Sequence, residues 1–503
     1  MFSDIEEIRK IADVDDCEEL SLLSWRKPIV ILKLKKFREV VKDINSVLDS
    51  IGIMLPYMPV HYMLFEKLKT KALVMTSGNF SDEPIIFEND VAVKKLSPLT
   101  DAVLIYDRDI FNRCDDSVVH IVNKSERVIR RSRGFVPAPV RLAISADGIF
   151  AAGADMKNCF CIGKEHHAIL SQHIGDLEQA ENYEFYKNNA GRFEYLFRSK
   201  PLLFAGDMHP GYYSNRYVNK FSDEKIFIQH HHAHIASCMA ENNIDEQVIG
   251  ISFDGTGYGD DGAIWGSEFL ICDFLDYHRI AHFEYIPLPG GDNASREPWR
   301  MAVSYLFKTY GSKFLDMKLP LFQHVSKEKI MLVVTAIEKG INCPLTSSAG
   351  RLFDAVSSLT GICHYSFYEA EAAMLLESAV DEHCKDFYSF KCSESISLIN
   401  TVEEIVKDIM NKVPVSIISA RFHNTVSEII CEMVKNIRSE YHLNKVALSG
   451  GVFQNRYLSE KVENMLLENG FELFIHRTVP ANDGGIALGQ LAIAAKRREK
   501  GCA

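Results

Sequence analysis

A chain of 503 residues with 47% hydrophobic and 25% charged residues is too long for one ordinary core, so two to four soluble globular domains are expected. The formal net charge of -12 argues against nucleic acid as a partner, because binding phosphates relies on Lys and Arg. No apolar run reaches the roughly 18 residues of a membrane span, and no basic-then-apolar signal follows Met1, so no membrane partner and a cytoplasmic location are expected.

The first 145 residues alternate apolar runs (PIVILKL, ALVMTS, AVLIYD, VVHIV, RVIRRS) with helical or turn segments, which predicts an α/β domain. The Pro-rich, Gly-flanked GFVPAPVRL marks its end. From residue 146, GIFAAGADMKNCFCIG reads as strand, glycine turn, strand, and VIGISFDGTGYGDDGAIWGSEFLICDF repeats that layout further on. The pair suggests a duplicated fold with a cleft between its halves. Helices are expected over 296–338 and 352–376. The chain closes with a buried strand entering a glycine pair (KVALSGGVFQN) and a loop feeding a last helix (PANDGGIALGQLAIAAKR).

Of the 12 cysteines only Cys159 and Cys161 lie close together, and no C-x-x-C exists, which argues against a structural zinc finger. Most are expected to be small buried hydrophobes, and Cys502 an exposed tail thiol. The sharpest feature is QHHHAHIASCMAE. His230 and His234 fall at i and i+4 of an expected helix, on one face, where two imidazoles can bind one divalent ion. Asp254, ending VIGISFD, and Asp483, in PANDGGIALG, are the expected carboxylate partners. Either alone is more commonly a cap or turn residue; together with the histidines they form a candidate catalytic His2Asp2 site suited to iron, zinc or manganese. The glycine turns Gly255-Thr256-Gly257 and Ser449-Gly450-Gly451 are candidate phosphate cradles, although such turns are usually only turns. Neither matches a P-loop. SSAGRLFDAVSSLTG adds Gly350 and Asp354 at a helix start, where an ordinary capped core helix is the alternative. No serine or cysteine has a visible base partner in sequence.

As a set, QHHHAHIASCMAE, SFDGTGYGDDGAIWGSEFL, LPGGDNASREPWRMA, AGRLFDAVSSL, ALSGGVFQN and PANDGGIALGQ resemble the transferase domain of the hydrogenase-maturation carbamoyltransferase family, HypF. GADMKNCFCIG, SQHIGDLE and GDMHPGYYSNRY resemble the same family. That domain is similar to the TsaD tRNA-modification proteins, within the actin, hexokinase and heat-shock ATPase superfamily. Residues 1–145 resemble the later part of a YrdC-like domain through GIMLPYMPVHYML, TSGNFSDEPI, RCDDSVV and VIRRSRGFVPAP.

The resemblance implies an α/β chain with an incomplete YrdC-like carbamoyl-adenylating domain at 1–145 and a duplicated TsaD-like transferase domain at 146–503. Family members usually begin with an acylphosphatase domain and two zinc fingers, so the sequence is expected to be truncated at its N-terminus. Thr76, Ser77, Asn79, Arg113, Arg130 and Arg131 would surround the adenylate, and Asn455 would join the nucleotide-binding residues. The implied reaction uses ATP and carbamoyl phosphate and passes carbamoyl to the C-terminal cysteine of a HypE-like partner, for the cyanide ligand of NiFe hydrogenase. Two departures stand out: Cys159 where Thr is common, and YEAEAAM for YEGQAAM. Two alternatives stay open, an O-carbamoyltransferase acting on a small hydroxylated metabolite and a catalytically incomplete module that docks HypE.

Overall fold

The computed structural model describes residues 1–35, 48–80 and 84–501. Ser81, Asp82 and Glu83 of the TSGNFSDEPI motif, and Cys502, lie outside the described residues.

Two helices, α1 (Ile5–Arg9) and α2 (Asp16–Leu23), precede a mixed sheet of β1 (Ile29–Lys33), β2 (Ser50–Ile53), β3 (Val118–Val122) and β4 (Ser125–Arg130), in the order β2-β1-β3-β4. A capping box sets the start of α2: the Asp15 carboxylate accepts from Glu18 N, and Glu18 accepts from Asp15 N. Val30, Leu32, Val119 and Val128 pack with Ile8 and Leu22 as the core. Two expected strands do not form. Apart from the pairing of Ala72 and Leu73 with Met1 and Phe2, ALVMTS and AVLIYD join no ladder among the described residues, and Val74 and Leu104 stay exposed.

Beyond residue 145 the duplication is explicit. The first half runs β5 (Ile149–Ala151), β6 (Cys161–Lys164), β7 (His167–Leu170), α3 (Ala180–Phe197), β8 (Leu203–Asp207), α4 (Tyr213–Val218), β9 (Glu224–Ile228) and α5 (His230–Glu241). Its strand order is β9-β8-β5-β6-β7, and Val140–Arg141 adds to the β7 edge. The second half repeats the pattern with β10 (Val248–Tyr258), β11 (Ile264–Cys272) and β12 (Tyr277–Phe283). After a helical insertion containing α6 (Ala349–Leu359) come α7 (Val415–Tyr441), β13 (Lys445–Ser449), α8 (Arg456–Glu468), β14 (Glu472–Phe474) and α9 (Ile486–Glu499). Here the order is β14-β13-β10-β11-β12. In both sheets the first strand pairs antiparallel with the second and parallel with the fourth. The helix expected over 352–376 is two: α6 stops at Leu359, with Gly361 in the left-handed region just beyond, and a new helix starts at Glu371.

α5 and α9 pack against each other where the two halves meet. Every residue from Ile486 to Ala495 is buried, as a helix enclosed on all sides requires. Small residues allow the close crossing: a Cβ on Gly489 would lie 1.8 Å from the carbonyl oxygen of Ala233. This crossing places the start of α5 beside the loop that precedes α9.

Candidate metal centre

Gln229 ends an extended segment, and its side chain accepts from His232 N, so α5 starts at His230. The i, i+4 spacing then stacks His230 and His234 with ring centroids 5.0 Å apart. Asp254 lies on β10, where the β10–β11 register shifts between Phe253 and Gly257 and turns its carboxylate toward the rings. Asp483 opens a single 3-10 turn ahead of α9, capped by the Asn482 side chain on Gly484 N.

These four side chains converge, with one donor atom from each inside 4.8 Å of the others. His234 Nε2 and His230 Nε2 lie 3.3 and 3.5 Å from Asp254 Oδ2, and 3.7 and 3.8 Å from Asp483 Oδ1. Donors about 2.1 Å from a tetrahedral ion lie roughly 3.4 Å apart, so the spacing fits one divalent cation. His230 Nε2 is buried without a hydrogen bond, although an unpaired buried polar atom is costly. Nitrogen and carboxylate donors together suit iron, zinc or manganese, and the residues fit such an ion.

Electrostatics agree with a site built for a cation. Burial alone would discharge His230, but the carboxylates of Asp207, Asp254 and Asp483 outweigh it and hold its pKa well above the usual value. Burial would likewise raise Asp254, but the two imidazoles facing its Oδ2 outweigh it and hold it well below the carboxylate range. Asp483 is pushed up to about 6, first by burial and then by the charge of Asp254. An incoming cation must displace the His230 proton at neutral pH, and below pH 6 the Asp483 proton as well. The logarithm of the apparent metal association constant is therefore expected to rise with pH, more steeply below pH 6 than above it. Chelator-competition titrations across pH 5–8 check this.

His231 and His232 serve elsewhere. His232 Nε2 lies 2.6 Å from the Asp273 carbonyl, and burial lowers its pKa to about 4. His231 is pushed well down, first by burial and then by His230.

The glycine turns line the same place. Gly450, at φ +102°, runs so close to β10 that a Cβ would lie 2.1 Å from Phe253 O. Gly451 N donates to Asp254 Oδ1 at 2.9 Å, leaving Oδ2 to face the imidazoles. Gly257 lies against the His230 and His231 rings, Gly255 and Thr256 continue the turn, and Gly350 starts α6 with its Cβ direction 3.0 Å from Gly255 Cα. The Ser348 hydroxyl ties that helix start to the carbonyls of Asp254 and Gly255. Asp354 is buried, raised to about 6 by burial, and 3.0 Å from Arg351. Asn455 is already engaged: it caps α8 through Leu458 N and lies 3.0 Å from His423 Nε2.

The set expected around an adenylate in the first domain is not assembled as one cluster. Thr76 and Ser77 are exposed, and the Asn79 amide donates to Phe80 O. Arg113 points across to the second domain, donating to Asn182 Oδ1 at 2.7 Å over the Phe185 ring. Arg130 is exposed, whereas Arg131 is buried and donates to the carbonyls of Phe135 and Ala138. Neighbouring residues at a strand end point to opposite faces, so the two arginines cannot converge on one ligand.

Sequence reasoning missed the groups behind the imidazoles. Asp207, at the end of β8, accepts from His230 Nδ1 at 2.8 Å and so leaves Nε2 free to ligate. Its motif, GDMHPGYYSNRY, stands out in the sequence, but nothing there links it to a histidine 23 residues on.

A duplicated sheet-and-helix domain with a His2Asp2 pocket at the crossing of its halves defines a Kae1-like protein, and comparisons with known proteins agree. Residues 145–241 match the model described as the HypF Kae1-like domain, and residues 250–490 the model described as the carbamoyltransferase Kae1-like domain, second subdomain. Residues 1–132 match the Sua5/YciO/YrdC model, described as telomere recombination. The chain is 35% identical over 502 residues to carbamoyltransferase HypF of Rhizobium leguminosarum bv. viciae, covering 98% of this chain and 65% of that one. It is 33% identical over 520 residues to carbamoyltransferase HypF of Synechocystis, covering 100% of this chain and 67% of that one. The chain thus spans about two thirds of the length of these curated relatives. A crystal structure of full-length HypF in a phosphate- and nucleotide-bound form superposes with a TM-score of 0.95 at 42% identity, covering 100% of this chain and 79% of that one. The chain belongs to the carbamoyltransferase HypF family. Among its described residues, no helix is long and apolar enough to cross a membrane.

Proposed function

We propose that this chain is a carbamoyltransferase of NiFe-hydrogenase maturation, acting in the cytoplasm on the C-terminal cysteine of a HypE-like partner. The observation that carries the reading is the convergence of His230, His234, Asp254 and Asp483 beside the Gly255–Gly257 and Gly450–Gly451 turns. In this reading residues 1–145 form the YrdC-like domain, where carbamoyl phosphate is hydrolysed to carbamate and phosphate and the carbamate attacks the α-phosphate of ATP, giving carbamoyl adenylate and pyrophosphate, and residues 146–503 form the transferase domain. The partner's thiolate attacks the carbamoyl carbon, the bond to the adenylate phosphate oxygen breaks, AMP leaves, and a thiocarbamate remains.

His230, His234, Asp254 and Asp483 would hold the divalent ion, which when bound supplies Lewis-acid stabilisation of charge on phosphate or carbamoyl oxygens. Gly450 and Gly255 let the backbone come close to the leaving phosphate, and α6 carries Gly350 and Asp354 to the same wall. The crossing of α5 over α9 buries the imidazoles and excludes water from a hydrolysable mixed anhydride. The nucleophile comes from the partner, consistent with the absence of a thiol among these four ligands.

The test incubates the chain with a HypE-like peptide ending in cysteine, plus ATP and carbamoyl phosphate, with preformed carbamoyl adenylate in a parallel arm. A carbamoyl mass increment on the peptide cysteine is expected, at the latest in the second arm. Transfer to a hydroxylated small molecule would instead favour the O-carbamoyltransferase. Peptide binding without an adduct in either arm would favour a docking module.

A further inference from the structure

Both ligand imidazoles need their remote nitrogen fixed, since the proton on Nδ1 decides whether Nε2 presents a lone pair. For His230 that partner is Asp207. On the His234 side, among the described residues, the neighbour of Nδ1 is a hydroxyl and not a carboxylate: Ser449 Oγ, at 3.4 Å. Ser449 ends β13, is fully buried, and lies 2.9 Å from His476 Nε2. His476 Nδ1 in turn lies 3.1 Å from Glu241 Oε2, at the last turn of α5. The other Glu241 oxygen accepts from the backbone of Arg477, Thr478 and Val479 and from the Thr478 hydroxyl, at 2.5–3.3 Å.

The polarity of this chain is fixed from its far end. With Oε1 taken by backbone N–H groups, the Glu241 carboxylate can only accept from His476, so Nδ1 of His476 carries the proton and, in the neutral imidazole, Nε2 accepts. The Ser449 hydroxyl, 2.9 Å from His476 Nε2 and 3.4 Å from the Ala481 carbonyl, then donates to the nearer acceptor, and its oxygen is left to accept from His234 Nδ1–H. His234 Nε2 is thereby left unprotonated, facing Asp254 and Asp483. The order serine, histidine, carboxylate matches a nucleophilic triad, but the Ser449 oxygen is sealed from solvent and turned toward an imidazole. The loop also has little freedom: Arg477 O accepts from Val128 N of β4, and Arg127 donates to His476 O.

We infer that Ser449, His476 and Glu241 are positioning residues that fix the tautomer of His234 for cation binding. The inference rests on the metal-centre reading above. The experiment measures zinc affinity of the full chain, stripped of metal, by competition with a chromophoric chelator. Ser449→Ala removes the acceptor, and zinc affinity is expected to fall about 10- to 100-fold, whereas Ser449→Thr retains most of it. Glu241→Gln is near-isosteric but turns an amide N–H toward His476. That reverses every donor back to His234 and protonates its Nε2, so a similar loss is expected. Melting temperatures run alongside. Variants that melt earlier yet bind zinc as the unaltered protein does would make the chain purely structural and overturn the inference. A carbamoyl adduct on Ser449 after turnover would overturn it in favour of a nucleophile. Failure of the unaltered protein to bind zinc, iron or manganese would remove the metal-centre reading itself, and the inference with it.

Discussion

Replacing His230 by alanine is expected to abolish stoichiometric metal binding and to slow carbamoyl transfer to the partner peptide by at least about 10³-fold, roughly 4 kcal/mol of transition-state stabilisation. One of four donors is lost, and with it one of the two imidazoles that face both Asp254 and Asp483. Asp207, Asp254 and Asp483 are then left around a buried gap. Metal content and peptide mass spectrometry provide the check. Full transfer by a metal-free His230→Ala variant would remove the ion from the mechanism.

The parts of this site legible in the sequence are those carried by short-range patterns. His230 and His234 are one helical turn apart, so their shared face follows from helix periodicity alone. Asp254 and Asp483 stood out because glycines flank them, and the convergence of all four could only be expected, since it depends on the β10 bulge and the α5–α9 crossing. The duplicated sheet was visible as two strand–glycine turn–strand segments, which became the antiparallel pairs β5–β6 and β10–β11. Ser449, His476 and Glu241 were invisible for the opposite reason. Each is an ordinary residue, and the links between them span 27 and 235 positions. In the first domain, apolar runs such as AVLIYD carry the composition of a strand without a strand to pair with among the described residues, and composition cannot report the neighbour.

The same glycine-to-alanine change is expected to act in opposite directions at two helical positions, which tests whether the helix crossing holds the metal centre together. At Gly489, in α9, the new methyl would meet the backbone of α5: 1.8 Å from Ala233 O, 2.7 Å from Ala233 C and 2.9 Å from Ser237 N. Backbone cannot swing aside as a side chain can, so the helices must separate by more than an ångström, at a cost of about 3 kcal/mol or more. In a domain this large that corresponds to a fall of roughly 4 °C or more in melting temperature. α5 carries both imidazoles, and α9 follows directly from the turn holding Asp483, so the separation should also weaken metal binding. Gly191, exposed on α3, has nothing within 4 Å of its added Cβ. There alanine only removes the backbone entropy of a mid-helix glycine, and a gain of about 0.5–1 kcal/mol is expected with metal affinity unchanged. Calorimetry and chelator competition on both variants give the comparison. A Gly489→Ala protein that melted and bound metal like the unaltered chain would mean that the two helices can part without disturbing the ligands, and that the crossing does not set the geometry of the site.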